Sequence, residues 1–223
     1  MRIHLKHAVM TAAMFFLMAG SVSAQSISAR VQAKYKDISS MRADYTQTLV
    51  HKESGSREQR TGVLSFAKPL LVRMETKKPS PEILLVAKDV IWNAFPEEEI
   101  AYKYSLKLAQ DSRSIVQVIT GQASLDKDFY LEDKGVEGNL SVLDLFPKEP
   151  TQAMVEVRLW IDTKTDLIKK LRVYDFYGNE NEMNFTKQDV NAKIPASQFS
   201  YAPPKGFDVE DRSRDTSAAP GTI

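Results

Sequence analysis

Apolar and polar residues along the chain follow two periods, one helical and one extended. After Ser26, the apolar positions Ile27, Val31, Tyr35 and Ile38 recur at helical spacing, which predicts a capped amphipathic helix with Ser26 at its start. From Met41 the period shortens to two. Met41, Ala43, Tyr45, Gln47 and Leu49 fall on one face of a predicted strand. The polar stretch "HKESGSREQR" is the turn and approach to the next strand, in which Gly62, Leu64 and Phe66 share a face. Lys68-Pro69 interrupts the ladder before Val72 and Met74 resume an apolar face opposite Arg73 and Glu75.

Further strands are expected over residues 82–86, 90–95 and 100–104, with Lys88-Asp89 turning between the first two. Asp111 or Ser112 can cap a short helix carrying Ile115, Val116 and Ile119 and ending near Gly121. The region up to Asp133 gives no clear period. Strands return at 139–145, 154–161, 168–176 and 181–188, with a turn at Tyr177-Gly178-Asn179-Glu180. The expectation is about nine antiparallel strands with two or three helices, a curved open sheet and not a parallel nucleotide-binding one.

The first 24 residues read differently. Arg2 and Lys6 precede an apolar run, and Val22 and Ala24 form the small-residue pattern of a cleavage site, so 1–24 is expected to be an export signal. The apolar run is shorter than the roughly 20 residues a membrane span needs. Its removal takes away two basic residues and no acidic ones, leaving a near-neutral chain with no electrostatic reason to bind nucleic acid. Residues 25–210 are expected to form one domain, and 211–223 a flexible tail. No cysteine occurs, which excludes disulfides, thiol nucleophiles and a lipid anchor through cysteine.

Candidate chemistry is sparse. His51 is the one histidine outside the signal and lies beside a charged turn without a catalytic partner. Asp126, Asp128, Glu132 and Asp133 form the best carboxylate cluster but lack the register of a calcium loop. Glu97, Glu98 and Glu99 read as a solvated turn. There is no phosphate-binding glycine loop, nucleophile elbow or HExxH helix. No catalytic residue, cofactor site or metal site is therefore assigned, and a noncovalent carrier is preferred to an enzyme. Tyr45, Leu49, Leu64, Phe66, Val72, Met74, Trp92 and Leu159 are candidates for one apolar concavity under the helices, although each also suits an ordinary core.

Taken in order, "MRADYTQ", "GVLSFAKPLLVRME", "KDVIWNAFP" and "QFSYAPPKGFDVED" resemble the LolA family of periplasmic lipoprotein carriers. The resemblance implies a mainly β fold with α: a strongly curved antiparallel sheet forming an incomplete barrel, covered by a helical lid. It also implies a monomeric chaperone in the periplasm. Such a chaperone receives acylated lipoproteins from an ATP-driven inner-membrane exporter and delivers them to an outer-membrane receptor. Val72 and Met74 fall where the family has apolar cavity residues. Lys68 falls where a basic residue before proline holds the lid, although that position is often arginine, whose fork a lysine cannot reproduce. Trp92 and Asp89 match the family's tryptophan and hairpin positions. The alternatives are a carrier of another envelope lipid or glycolipid, and a lipid-independent envelope interaction or sensor domain. A packed sheet–helix interface with an exposed protein-binding patch would mark the latter.

Overall fold

The computed structural model describes residues 25–87, 89–106 and 115–214. The expected signal at 1–24, the capping role of Asp111 or Ser112, Lys88 in its turn and the tail beyond 214 lie outside the described residues.

Helix α1 (Ile27–Asp37) starts where the sequence indicates, because Ser26 Oγ accepts a hydrogen bond from the Ala29 amide at 3.2 Å. Ser28, Val31 and Tyr35 form its buried stripe. Strands β1 (Ser40–Val50), β2 (Arg57–Ala67), β3 (Leu71–Lys78), β4 (Glu82–Val86), β5 (Val90–Phe95) and β6 (Ile100–Ser105) follow as an antiparallel meander. Two short helices, α2 (Ile115–Ile119) and α3 (Leu125–Asp128), lead into β7 (Phe129–Glu137), β8 (Leu140–Pro147), β9 (Glu156–Asp162), β10 (Ile168–Tyr174) and β11 (Glu180–Val190). A 3-10 turn (Ala196–Phe199) precedes β12 (Asp208–Asp211).

All twelve strands belong to one sheet, in the order β12-β6-β5-β4-β3-β2-β1-β11-β10-β9-β8-β7. This corrects the expected architecture. The sheet is open and not strongly curled, with β12 and β7 as its two ends, and it does not form a strongly curved incomplete barrel. The β7 edge is built to stay unpaired: it carries Glu132, Asp133, Lys134 and Glu137, and its register with β8 shifts between Asp133 and Gly135. At the other end β12 runs parallel to β6, the one parallel pairing in an otherwise antiparallel sheet.

Residues opposite one another on neighbouring strands share a face. Met41, Phe66, Val72, Val86, Ile91 and Tyr104 form one such row across β1 to β6, and all are buried. They belong to the main core, together with Val31 and Tyr35 of α1 and Val116, Val118 and Ile119 of α2. The face covered by these helices is here called the inner face. One position over, Arg42, Ser65, Arg73, Leu85, Trp92 and Lys103 form the corresponding row of the outer face.

Candidate functional site

The inner face and the helices over it are joined by polar ties at identifiable points. Lys68, at the turn between β2 and β3, donates from Nζ to the carbonyl oxygens of Tyr35 at 2.5 Å and Lys36 at 2.9 Å. These oxygens lie in the last turn of α1, where carbonyls have no partner within the helix and a cation complements the helix dipole. Partial burial lowers the Lys68 pKa from its ordinary value, while nearby Asp37 opposes that shift.

Tyr35 is held at its other end as well. Its hydroxyl accepts from the Ile168 amide at 3.2 Å, and burial pushes the phenol pKa up. Nearer the start of α1, Arg30 pairs with Asp166 at 3.0 Å. Gln32 donates to Asp126 at 3.0 Å and accepts from the Leu125 amide at 3.1 Å. Gly121 closes α2 with a φ of 69°, and its Cα packs so tightly on Tyr35 that any side chain there would overlap the ring. Between α1, α2 and the sheet remains a recess of about 10 Å³, lined by Val31, Tyr35, Val118, Leu125, Leu159 and Ile168. That is room for about one water molecule.

Tyr45, Leu64, Phe66, Val72, Met74 and Leu159 are all buried in the inner-face core, and of these Leu159 reaches the recess. Leu49 lies on the same face but is half-buried, opposite Glu58 and Asn181. Trp92 is a correction. It points from the outer face, in the row of Arg73 and Leu85, and meets Tyr201 edge-on with ring centroids 5.8 Å apart. Alternation along β5 gives the inner face to Ile91 and Asn93 instead. Tyr35, Gly121 and Ile168 were not singled out as site residues. Tyr35 was legible only as part of a helical stripe, and nothing in the sequence links it to residue 168.

The discounted polar candidates are engaged separately. Asp126 accepts from Gln32, Asp128 from the Ser124 amide, Asp133 from the Gly135 amide, and Glu132 pairs with Lys134. His51 Nδ1 lies 3.0 Å from Ser54 Oγ in its loop. Among the described residues no group of three or more metal-ligating side chains comes together, and no helix is long and apolar enough to cross a membrane.

Comparison with known proteins completes the assignment. The family model described as "Outer membrane lipoprotein carrier protein LolA" matches residues 36–202. The outer-membrane lipoprotein carrier protein of Chromobacterium violaceum is 26% identical over 181 residues, covering 81% of this chain and 85% of that protein. Its counterpart in Dechloromonas aromatica is 24% identical over 175 residues, covering 78% and 82%. An uncharacterized conserved protein from Thermus thermophilus shares the fold, with a TM-score of 0.55 at 13% identity over 83% of this chain and 97% of that one. The chain belongs to the LolA family of outer membrane lipoprotein carrier proteins: it is a periplasmic lipid carrier that meets lipoproteins and membrane components, and not an enzyme.

Proposed function

We propose that this chain shields the acyl chains of lipoproteins between the inner face and helices α1 and α2. It would receive them from an ATP-driven inner-membrane exporter and hand them to an outer-membrane receptor. In this reading residues 1–24 direct export and 25–210 form the carrier domain. The observation that carries the reading is the tie between Lys68 and the end of α1, which holds a helix over a largely apolar sheet face.

The energetics favour a movable cover. Burial is worth roughly 0.8 kcal/mol per methylene, so a chain of about 16 carbons represents roughly 12 kcal/mol when fully shielded. Such cargo cannot cross water unaided, and a site that captured all of that energy would release it too slowly. The recess at Leu159 has room for about one water molecule, so an acyl chain entering there would have to displace α1 and α2 from the sheet. The ties at Lys68, Arg30 and Gln32 are few, polar and partly exposed. Each is worth about 1 kcal/mol, which suits two states of similar free energy.

Mixing the purified protein with membranes carrying a triacylated peptide tests the proposal. Transfer to the protein, seen by native mass spectrometry as a one-to-one complex, is expected. Capture of a glycolipid in preference to the peptide would redirect the cargo assignment. Reproducible absence of any lipid transfer would overturn the acyl-shielding proposal.

A further inference from the structure

Among the described residues of the inner face, Gln47 is a side chain that its apolar neighbours do not explain. Gln47 lies on β1 between Tyr45 and Leu49, on the same face as both, and is 1% exposed. Its Nε2 donates to Asn181 Oδ1 at 2.9 Å. Its Oε1 is buried without a hydrogen-bond partner among the described residues. Tyr45, one inner-face position away, is different: its hydroxyl meets Thr76 Oγ1 at 2.7 Å. Natural proteins keep few unmet buried acceptors because each costs stability, so the Gln47 oxygen calls for a donor.

The position of Gln47 defines what that donor belongs to. Across the sheet its row continues through Met183, Leu171, Leu159 and Leu143, an apolar stripe that passes the recess at Leu159. With neighbouring strands ~4.8 Å apart, the stripe from Gln47 to Leu143 spans about 19 Å. One leaflet of a membrane, half of a ~30 Å hydrocarbon core, measures about 15 Å. In the other direction the row reaches Arg60, which is held by Glu58 at 2.6 Å and Glu82 at 2.9 Å. Gln47 therefore stands where an apolar track of acyl-chain length meets a charged boundary.

We infer that Gln47 is a specificity-determining residue, its Oε1 accepting a hydrogen bond from the N–H of an amide that joins an acyl chain to a peptide. The inference rests on the carrier reading and names the linkage that the carrier recognises. An N-acylated peptide offers that N–H. The ester linkages of phospholipids and diacylglycerols offer only acceptors, which would set oxygen against oxygen at this point. The site thus favours N-acylated peptides over all-ester lipids. A second unmet acceptor on the same face, Asn93 Oδ1, lies on β5, four strands away, beyond the reach of the same donor.

Two fluorescent palmitoyl peptides test this, one joined by a secondary amide and one by the corresponding N-methyl amide, which lacks the N–H. Wild-type protein is expected to bind the secondary amide about five- to tenfold more tightly. Gln47→Met, similar in length but without the acceptor, is expected to bind both alike and to match the wild type on the N-methyl probe. Equal affinities in the wild type would overturn the inference, whether or not the variant folds. A preference that survives Gln47→Met would overturn it too. Binding of neither probe by the wild type would remove the carrier reading, and this inference with it.

Discussion

The Lys68 ammonium and the Tyr35 carbonyl, 33 residues apart in sequence, are joined by a 2.5 Å hydrogen bond that fastens the end of α1 to the turn between β2 and β3. Because Lys68 is partly exposed, loss of this bond is expected to cost only about 1 kcal/mol of global stability. The same amount changes an equilibrium between covered and uncovered states about fivefold. Lys68→Leu should therefore alter lipid uptake or release several-fold while thermal unfolding shifts little. Lys68→Arg should keep the tie, since a guanidinium also donates to two carbonyls. Separate rates for donor-to-carrier and carrier-to-acceptor transfer, measured beside thermal unfolding, check both variants. Unchanged rates in Lys68→Leu would remove the lid role.

Adjacent residues of β3 should differ sharply. Val72 is 0% exposed between Phe66 and Val86 on the inner face. Val72→Glu places a carboxyl where no partner exists and is expected to destabilise the fold by on the order of 4 kcal/mol. Arg73 faces the other way and pairs with Glu75 at 3.1 Å, so Arg73→Ala should cost less than ~1 kcal/mol. Urea unfolding of the two variants is the measurement.

Gly121 combines a left-handed backbone with contact against Tyr35. Gly121→Ala must strain the backbone and also push α1 off its seat. A loss of about 3 kcal/mol in thermal unfolding is expected. A neutral result would mean that α2 and α1 separate without cost.

Glu156 supplies a pH dependence. Burial raises its pKa above the ordinary value, nearby Asp144 and Glu132 add to the rise, and Arg158 and Lys134 oppose it. A carboxyl with a raised folded pKa binds its proton more tightly in the folded state. Its contribution is therefore most favourable below the ordinary carboxylate range and is lost as pH rises through the raised value. Glu156→Gln should stabilise the protein at neutral pH, by less than ~1 kcal/mol for a half-buried group that solvent still screens. The advantage should vanish near about pH 4, where the wild-type carboxyl is itself protonated. Unfolding midpoints of both proteins across that range would show the convergence.

Much of the fold was legible because alternation and helical spacing respond to burial. The residues from Met41 to Leu49 and the Val72/Met74 pair read correctly because one face of each strand is apolar and the other is not. By contrast, β7 carries no such contrast, with Phe129 its one buried residue, and β12 is exposed throughout. Both are strands because of the neighbour they pair with, which a local pattern cannot register. Trp92 failed for a related reason: an aromatic residue on a strand was assigned to the core, although the outer face has its own aromatic contact at Tyr201. The openness of the sheet depends on how its ends relate, and no short stretch of sequence encodes that. Lys68 was found through its place before Pro69, but its partners on α1 emerge only from the tertiary arrangement.

The parallel pairing of β12 with β6 also constrains how the molecule can be made. Asp208 pairs with Ile100 and Asp211 with Lys103, so the outer edge of β6 waits for residues more than a hundred positions later. Pairing over such a separation closes a very long loop and is among the slower contacts to form. Until it forms, a chain synthesised or exported from its N-terminus displays β6 as a bare edge, a template for wrong pairing between molecules. The last short strand, which buries almost nothing, is thus expected to cover that edge once the chain is complete, and a truncation before Asp208 should reveal itself as a lower yield of monomer during refolding.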